Sequence, residues 1–128
     1  MQSLGSGAYT PGPVSFQNVE VAVCSTPLYS VPKDWTQVLI LVSGYINLGT
    51  GITQITWNIR RGSGTTGVGL GLPFPQSVTA STNVLFSLLA LDTLILGAQA
   101  QWTCTATGTG ATANSFAEGM TMAAIFLQ

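Results

Sequence analysis

The sequence predicts an all-β chain: an antiparallel two-sheet β-sandwich, with a jelly roll as the leading topology. Three observations predict it. The helix formers Glu, Lys and Arg are almost absent, since only seven of 128 residues carry a formal charge. Val, Ile and Thr are abundant, and 15 glycines and 6 prolines punctuate the chain every few residues. Between these punctuations, short segments alternate apolar and polar residues with period two.

Residues 1–16 are Gly/Pro-rich and read as an irregular N-terminal arm, with residues 17–128 forming one sandwich domain. Asn18 to Ser25 alternates, with Val19, Val21 and Val23 on one face. Trp35 to Leu48 reads as a long strand that is apolar on both faces around Val38 to Val42, as expected for a central strand. After the turn at Gly49-Thr50-Gly51, Thr53 to Arg61 alternates cleanly, and the simplest pairing makes these two strands a hairpin. Gly62 to Gly71 is a loop, and Gln76 to Ala80 and Val84 to Leu91 are further strands. In Ala98 to Thr107, Ala98, Ala100, Trp102, Cys104 and Ala106 point one way and Gln99, Gln101, Thr103, Thr105 and Thr107 the other. Gly119 to Gln128 closes the chain with a strand apolar on both faces. This gives seven or eight strands. The competing immunoglobulin-like topology needs Cys24 and Cys104 to bridge the sheets beside Trp35 or Trp57, and Cys24 is out of phase with Val19, Val21 and Val23.

Composition narrows the function. The seven charges are Glu20, Lys33, Asp34, Arg60, Arg61, Asp92 and Glu118, or 5% of the chain, where an ordinary domain carries roughly 25%. There is no histidine to serve as a general base and the four carboxylates are scattered, so the expectation is a non-enzyme with no catalytic residues. A net charge of −1 gives no electrostatic case for nucleic acid. No apolar run reaches the ~20 residues of a membrane span, and the first residues show no signal-peptide pattern. Cys24 and Cys104 are the only cysteines, with no metal-ligand spacing; they read as small buried hydrophobes, a disulfide between them being left open. Gly62-Ser-Gly64-Thr-Thr-Gly67 matches a dinucleotide-binding pattern, but a Gly/Leu/Pro stretch follows where that motif needs a helix N-terminus, so no cofactor is expected.

The remaining signal is apolar surface. A strand apolar on both faces buries one face in its own core and needs a partner for the other. Met120, Met122 and Phe126 lie on the closing strand, and Leu85 and Leu89 lie opposite Val84, Phe86 and Leu88; these five are candidate subunit contacts. Arg60 and Arg61 end a polar row, and Arg favours interfaces where it meets carboxylates bidentately, here Glu118 or Asp92 of another copy. The interface candidates are therefore Arg60, Arg61, Leu85, Leu89, Glu118, Met120, Met122 and Phe126.

The run Val84-Leu-Phe-Ser-Leu-Leu-Ala-Leu-Asp92-Thr93, a turn, Ala98-Gln-Ala-Gln-Trp-Thr-Cys-Thr-Ala-Thr-Gly108 and the closing Met120 to Leu127 strand resemble small β-sandwich virion proteins of tailed bacteriophages. These are capsid decoration (cement) proteins and domains of head or tail fibres. The resemblance covers about the last 45 residues best. It implies a homotrimeric jelly roll without enzymatic activity, on a capsid surface or in a fibre. With no repeats and no stalk, a decoration subunit bound to the major capsid protein is the leading expectation. The alternative is a receptor- or carbohydrate-binding fibre domain using the loops Gly62 to Gly71 and Gly108 to Ser115.

Overall fold

The computed structural model describes residues 3–10, 13–31, 34, 36–93 and 99–127, and these contain eleven strands and no helix. They are β1 (Ser3–Thr10), β2 (Val14–Phe16), β3 (Val21–Ser25), β4 (Tyr29–Ser30), β5 (Gln37–Asn47), β6 (Gln54–Arg61), β7 (Phe74–Ser77), β8 (Asn83–Thr93), β9 (Gln99–Ala100), β10 (Trp102–Thr109) and β11 (Ser115–Leu127). A front sheet has the order β1-β11-β5-β8, with β2 also paired to β11; a back sheet has the order β3-β10-β6-β7; β4 and β9 form a short ribbon. Every pairing is antiparallel.

Setting aside the short β2, β4 and β9, the eight main strands in chain order fill the front sheet as first, eighth, third and sixth. They fill the back sheet as second, seventh, fourth and fifth. Each sheet thus receives strands from both halves of the chain, nested around the central β6–β7 hairpin, which is the jelly roll. The sequence-based expectation of a two-sheet sandwich holds.

Three local expectations are corrected. β5 and β6 are not a hairpin: β5 pairs with β11 and β8, while β6 pairs with β10 and β7. The connection between them crosses from one sheet to the other and buries Leu48 and Ile52 as it goes. The lead-in is not irregular throughout, because β1 pairs with β11 over its whole length and β2 pairs with the start of β11. Val19 is exposed rather than core, whereas Val23 and Cys24 are both buried. The register between β3 and β10 shifts beside the Cys24–Cys104 pair, and an extra residue at such a bulge breaks strict alternation. The two cysteines are neighbours within one sheet, so they are not the inter-sheet bridge of an immunoglobulin fold. Trp35, Lys33 and Ala98 lie outside the described residues.

The core lies between the sheets. Trp57 of the back sheet stacks on Phe86 of the front sheet, with centroids 3.9 Å apart and planes at 18°. Trp102 packs against Phe126, and Tyr29 meets Phe126 edge-on. Gly44 is demanded by this packing, since a Cβ there would overlap Met120 Sδ and the Phe86 ring.

Candidate interaction surface

The strands β5, β8 and β11 place their inward rows, Val38, Ile40, Val42, Phe86, Ala90, Met120, Met122, Ala124 and Phe126, in the core. Period two then fixes the outward rows. Cross-strand partners share a face, so the registers assemble the front sheet's outer surface directly. Leu91 sits opposite Leu39, which sits opposite Ile125; Leu89 sits opposite Leu41, which sits opposite Ala123. Ser87, Ser43 and Thr121 form the next row, and Leu85, Tyr45 and Glu118 the row after it. Leu85 is 79% exposed, Leu89 57%, Leu91 56% and Leu41 37%. From Leu39 to Thr121 this face carries no charge, and Glu118 marks its end. Beside Glu118 the β11 register shifts, and Gly119 takes φ +57, a left-handed conformation that glycine adopts without strain.

The charged residues do other work. Asp92 of β8 is almost fully buried and accepts hydrogen bonds from Arg61 Nε (2.8 Å), Trp102 Nε1 (2.8 Å) and the Thr93 N–H (2.8 Å), with a further short contact from Arg61 Nη2. Arg61 and Trp102 belong to the back sheet and Asp92 to the front, so this clasp ties the two layers together. Burial pushes the Asp92 carboxyl up, but the bonds from Arg61, Trp102 and Thr93 outweigh it and hold the group below its ordinary value. The Arg61 guanidinium is raised, chiefly by its bond to Asp92.

A second cluster roofs the back sheet. Glu20 Oε1 accepts from Arg60 Nε (2.9 Å), Asn58 Nδ2 (3.3 Å) and Thr105 Oγ1 (2.7 Å), and Oε2 accepts from Arg60 Nη2 (3.1 Å). Arg60 Nη1 donates to the Gly67 carbonyl at 2.9 Å and pins the glycine-rich loop. That loop joins β6 to β7 with no helix after it, so it lacks the geometry of a phosphate cradle.

The eight sequence-derived candidates therefore separate. Leu85, Leu89 and Glu118 come together on one face. Met120, Met122 and Phe126 are corrected: they are buried within the chain's own core and present nothing to a neighbour. Both rows of β11 are apolar, and the larger side chains took the interior. Arg60 and Arg61 are corrected in their mates, which are Glu20 and Asp92 of the same chain. Leu39, Leu41 and Ile125 complete the face; their signal was the two-sided apolar pattern of β5 and β11.

A cavity of about 310 Å³ opens beside the clasp, lined among others by Leu28, Ser63, Gln99, Gln101 and the Arg61–Asp92 pair. Among the described residues no three His, Cys, Asp or Glu side chains gather to hold a metal, and no helix is long and apolar enough to cross a membrane.

No protein-family model and no curated protein matches the chain. Solved structures do. The fold is similar to the D431N mutant VP2 protein of infectious bursal disease virus in T=1 particles, with TM-score 0.64 and 9% identity, covering 97% of this chain and 32% of that one. It is similar to infectious bursal disease virus of the Gx strain, with TM-score 0.61, 11% identity and the same coverages, 97% and 32%. It is also similar to the C-terminal domain of EclA, a sugar-binding protein, with TM-score 0.53 and 12% identity over 88% of this chain and 78% of that one. The chain spans about a third of the length of the viral chains. At these identities the likeness is one of fold, a jelly-roll β-sandwich.

Proposed function

We propose that this chain is a non-enzymatic structural subunit of a virion: a decoration or cement protein that binds the capsid surface of a tailed bacteriophage as a homo-oligomer, in trimeric form. The observation that carries this reading is the front sheet's outer face, an uncharged leucine-rich surface that no described part of the chain covers. An exposed apolar face of this extent in a single jelly roll is the mark of an assembly surface. Its mechanism is mechanical. Burying leucine surface at a joint between capsid subunits contributes roughly 25 cal/mol per Å² and resists the separation of those subunits under internal pressure. The absence of histidine and the engagement of Asp92, Glu20, Arg60 and Arg61 in structural pairs leave no free acid–base pair among these groups for catalysis.

The test mixes purified protein with expanded, undecorated phage capsids and sediments them. Saturable co-sedimentation at a fixed ratio to the major capsid protein supports the reading, with a solution mass that is a multiple of three chains. A monomer that stays in the supernatant overturns it. A second reading, a carbohydrate-binding domain, is favoured by the mixed polar and apolar cavity beside Arg61 and Asp92. Binding on a glycan array together with failure on capsids would reverse the order of the two.

A further inference from the structure

The outer edge of β8 is a different surface from the face beside it. Among the described residues the front sheet ends at β8, whose eleven residues run without a register shift against β5. The Leu48 N–H donates to the Thr82 carbonyl at 3.0 Å, continuing the register that pairs Asn47 with Asn83. In an antiparallel ladder that bond fixes the phase. The even-numbered residues of β8, from Val84 to Asp92, bond toward β5. Leu85, Ser87, Leu89 and Leu91 turn their N–H and C=O groups to the open edge.

Natural sheets blunt such edges with lysine, proline, bulges or brevity. β7, the edge beneath, is four residues long and contains Pro75, and β3 is bulged against β10. β8 has none of these devices, and its single charge, Asp92, is buried in the clasp.

We propose that β8 pairs antiparallel with β8 of a second copy about a two-fold axis at Leu88, extending the front sheet through both subunits. This register overlaps the whole strand. It sets Leu85 opposite Leu91 of the second copy and Ser87 opposite Leu89, and it keeps the two Asp92 carboxylates apart, each facing Val84. The occupant is a second copy because the edge is self-complementary under that axis and because the area suffices. A strand of this length is ~37 Å long at ~3.4 Å per residue, and two layers ~10 Å apart with their outer side chains give ~20 Å of depth. The back layer at this edge is β7, only four residues or ~14 Å long, so the side formed by β8 and β7, which flank one cleft, offers ~500 Å² per partner, or ~1,000 Å² in total, the lower bound of a specific interface. The contact leaves the outer face free. It rests on the reading of the chain as a self-associating subunit, and two trimers joined through such edges double the particle mass.

Hydrogen exchange of the full chain tests it. The amides of Leu85, Ser87, Leu89 and Leu91 exchange fast in dilute protein and slow on the order of tenfold at concentrations ten times the dissociation constant, while those of Phe86, Leu88 and Ala90 are slow throughout. Ser87→Pro deletes an edge-facing N–H without touching the β5 ladder; it halves the particle mass and removes the concentration-dependent protection. Leu89→Lys, which leaves the backbone unconstrained, does the same if the proline variant fails to fold. Odd-numbered amides that exchange fast in a sample already multimeric, or an unchanged mass in both variants, overturn the proposal. An outer-face variant, Leu41→Thr, separates the two readings: it weakens capsid binding but leaves β8 protection intact.

Discussion

The two sheets of this sandwich treat their outer surfaces in opposite ways. The back sheet is covered by its own chain: Thr103 and Thr105 lie fully buried beneath the Glu20–Arg60 cluster and the loop it pins. The front sheet leaves leucines in solvent and bears one carboxylate, Glu118, at the margin of its apolar rows. Four of the seven charges are used in two ion pairs, one closing the back sheet's roof and one joining the layers. Scarcity of charge is thus a division of labour. Polar interactions complete the fold where the chain covers itself, and the face left apolar is the one proposed for assembly.

The largest effect follows from breaking the clasp. Asp92→Ala removes the acceptor for Arg61 and Trp102 Nε1 together and strands a buried indole N–H. A loss of about 3 kcal/mol is expected in urea unfolding, the range for removing one partner of a buried charged network. Asp92→Asn keeps one acceptor oxygen and should lose less. If Asp92→Ala unfolds at the wild-type midpoint, the clasp does not hold the layers.

Glu20→Ala probes the roof alone. It leaves the half-buried Arg60 guanidinium without its carboxylate and Thr105 without its acceptor. About 1–2 kcal/mol should be lost, less than at Asp92 because water reaches the Glu20 carboxylate while Asp92 is almost fully buried. Proteolysis in the glycine-rich loop should quicken, since Arg60, which anchors Gly67, loses the carboxylate that fixes its side chain.

The pH dependence sharpens the same contrast. Asp92 has its folded pKa below the unfolded value of about 3.9. Its contribution is therefore complete above pH ~4 and is lost as pH falls through the lower folded value. Cys104 behaves oppositely. Burial and, secondarily, Cys24 push its thiol far above the ordinary range. Its contribution is complete below the unfolded thiol value of about 8.5 and is lost as pH rises beyond it, where the unfolded thiol ionises. Thermal unfolding followed from acid to mildly alkaline pH should trace both arms, and Asp92→Asn should remove much of the acid arm. An acid arm unchanged in that variant would assign it to other carboxylates.

Much of this was legible in the sequence. Alternation in β6 and β10, the two-sided apolar character of β5, β8 and β11, and the turn residues between them were enough for a two-sheet sandwich. Choice of pairing was not legible. β5 and β6 are adjacent and joined by a turn-like Gly-Thr-Gly, yet packing of two apolar faces sends them to different sheets. The strand nature of β1 was hidden because its glycines have no propensity to show, and pairing with β11 decides it. Arg60 could not be matched to Glu20, forty residues away, from spacing alone. For β11 both faces are apolar, so the choice of Met120, Met122 and Phe126 as the buried row is made by the volume between the sheets.

The smallest effect on stability should come from the front face, and that is where its value lies. Leu41→Thr combined with Leu91→Thr replaces exposed leucines by β-branched residues suited to a strand and leaves the packing between the sheets untouched. Exposed substitutions of this kind stay within about 0.5 kcal/mol. Binding to undecorated capsids, by contrast, should fall at least tenfold, because burying two leucines contributes roughly 1.5–3 kcal/mol each. Unchanged stability together with weakened binding assigns the leucines to assembly. A drop in stability would show that the face supports the isolated fold, and the division between the sheets would fail.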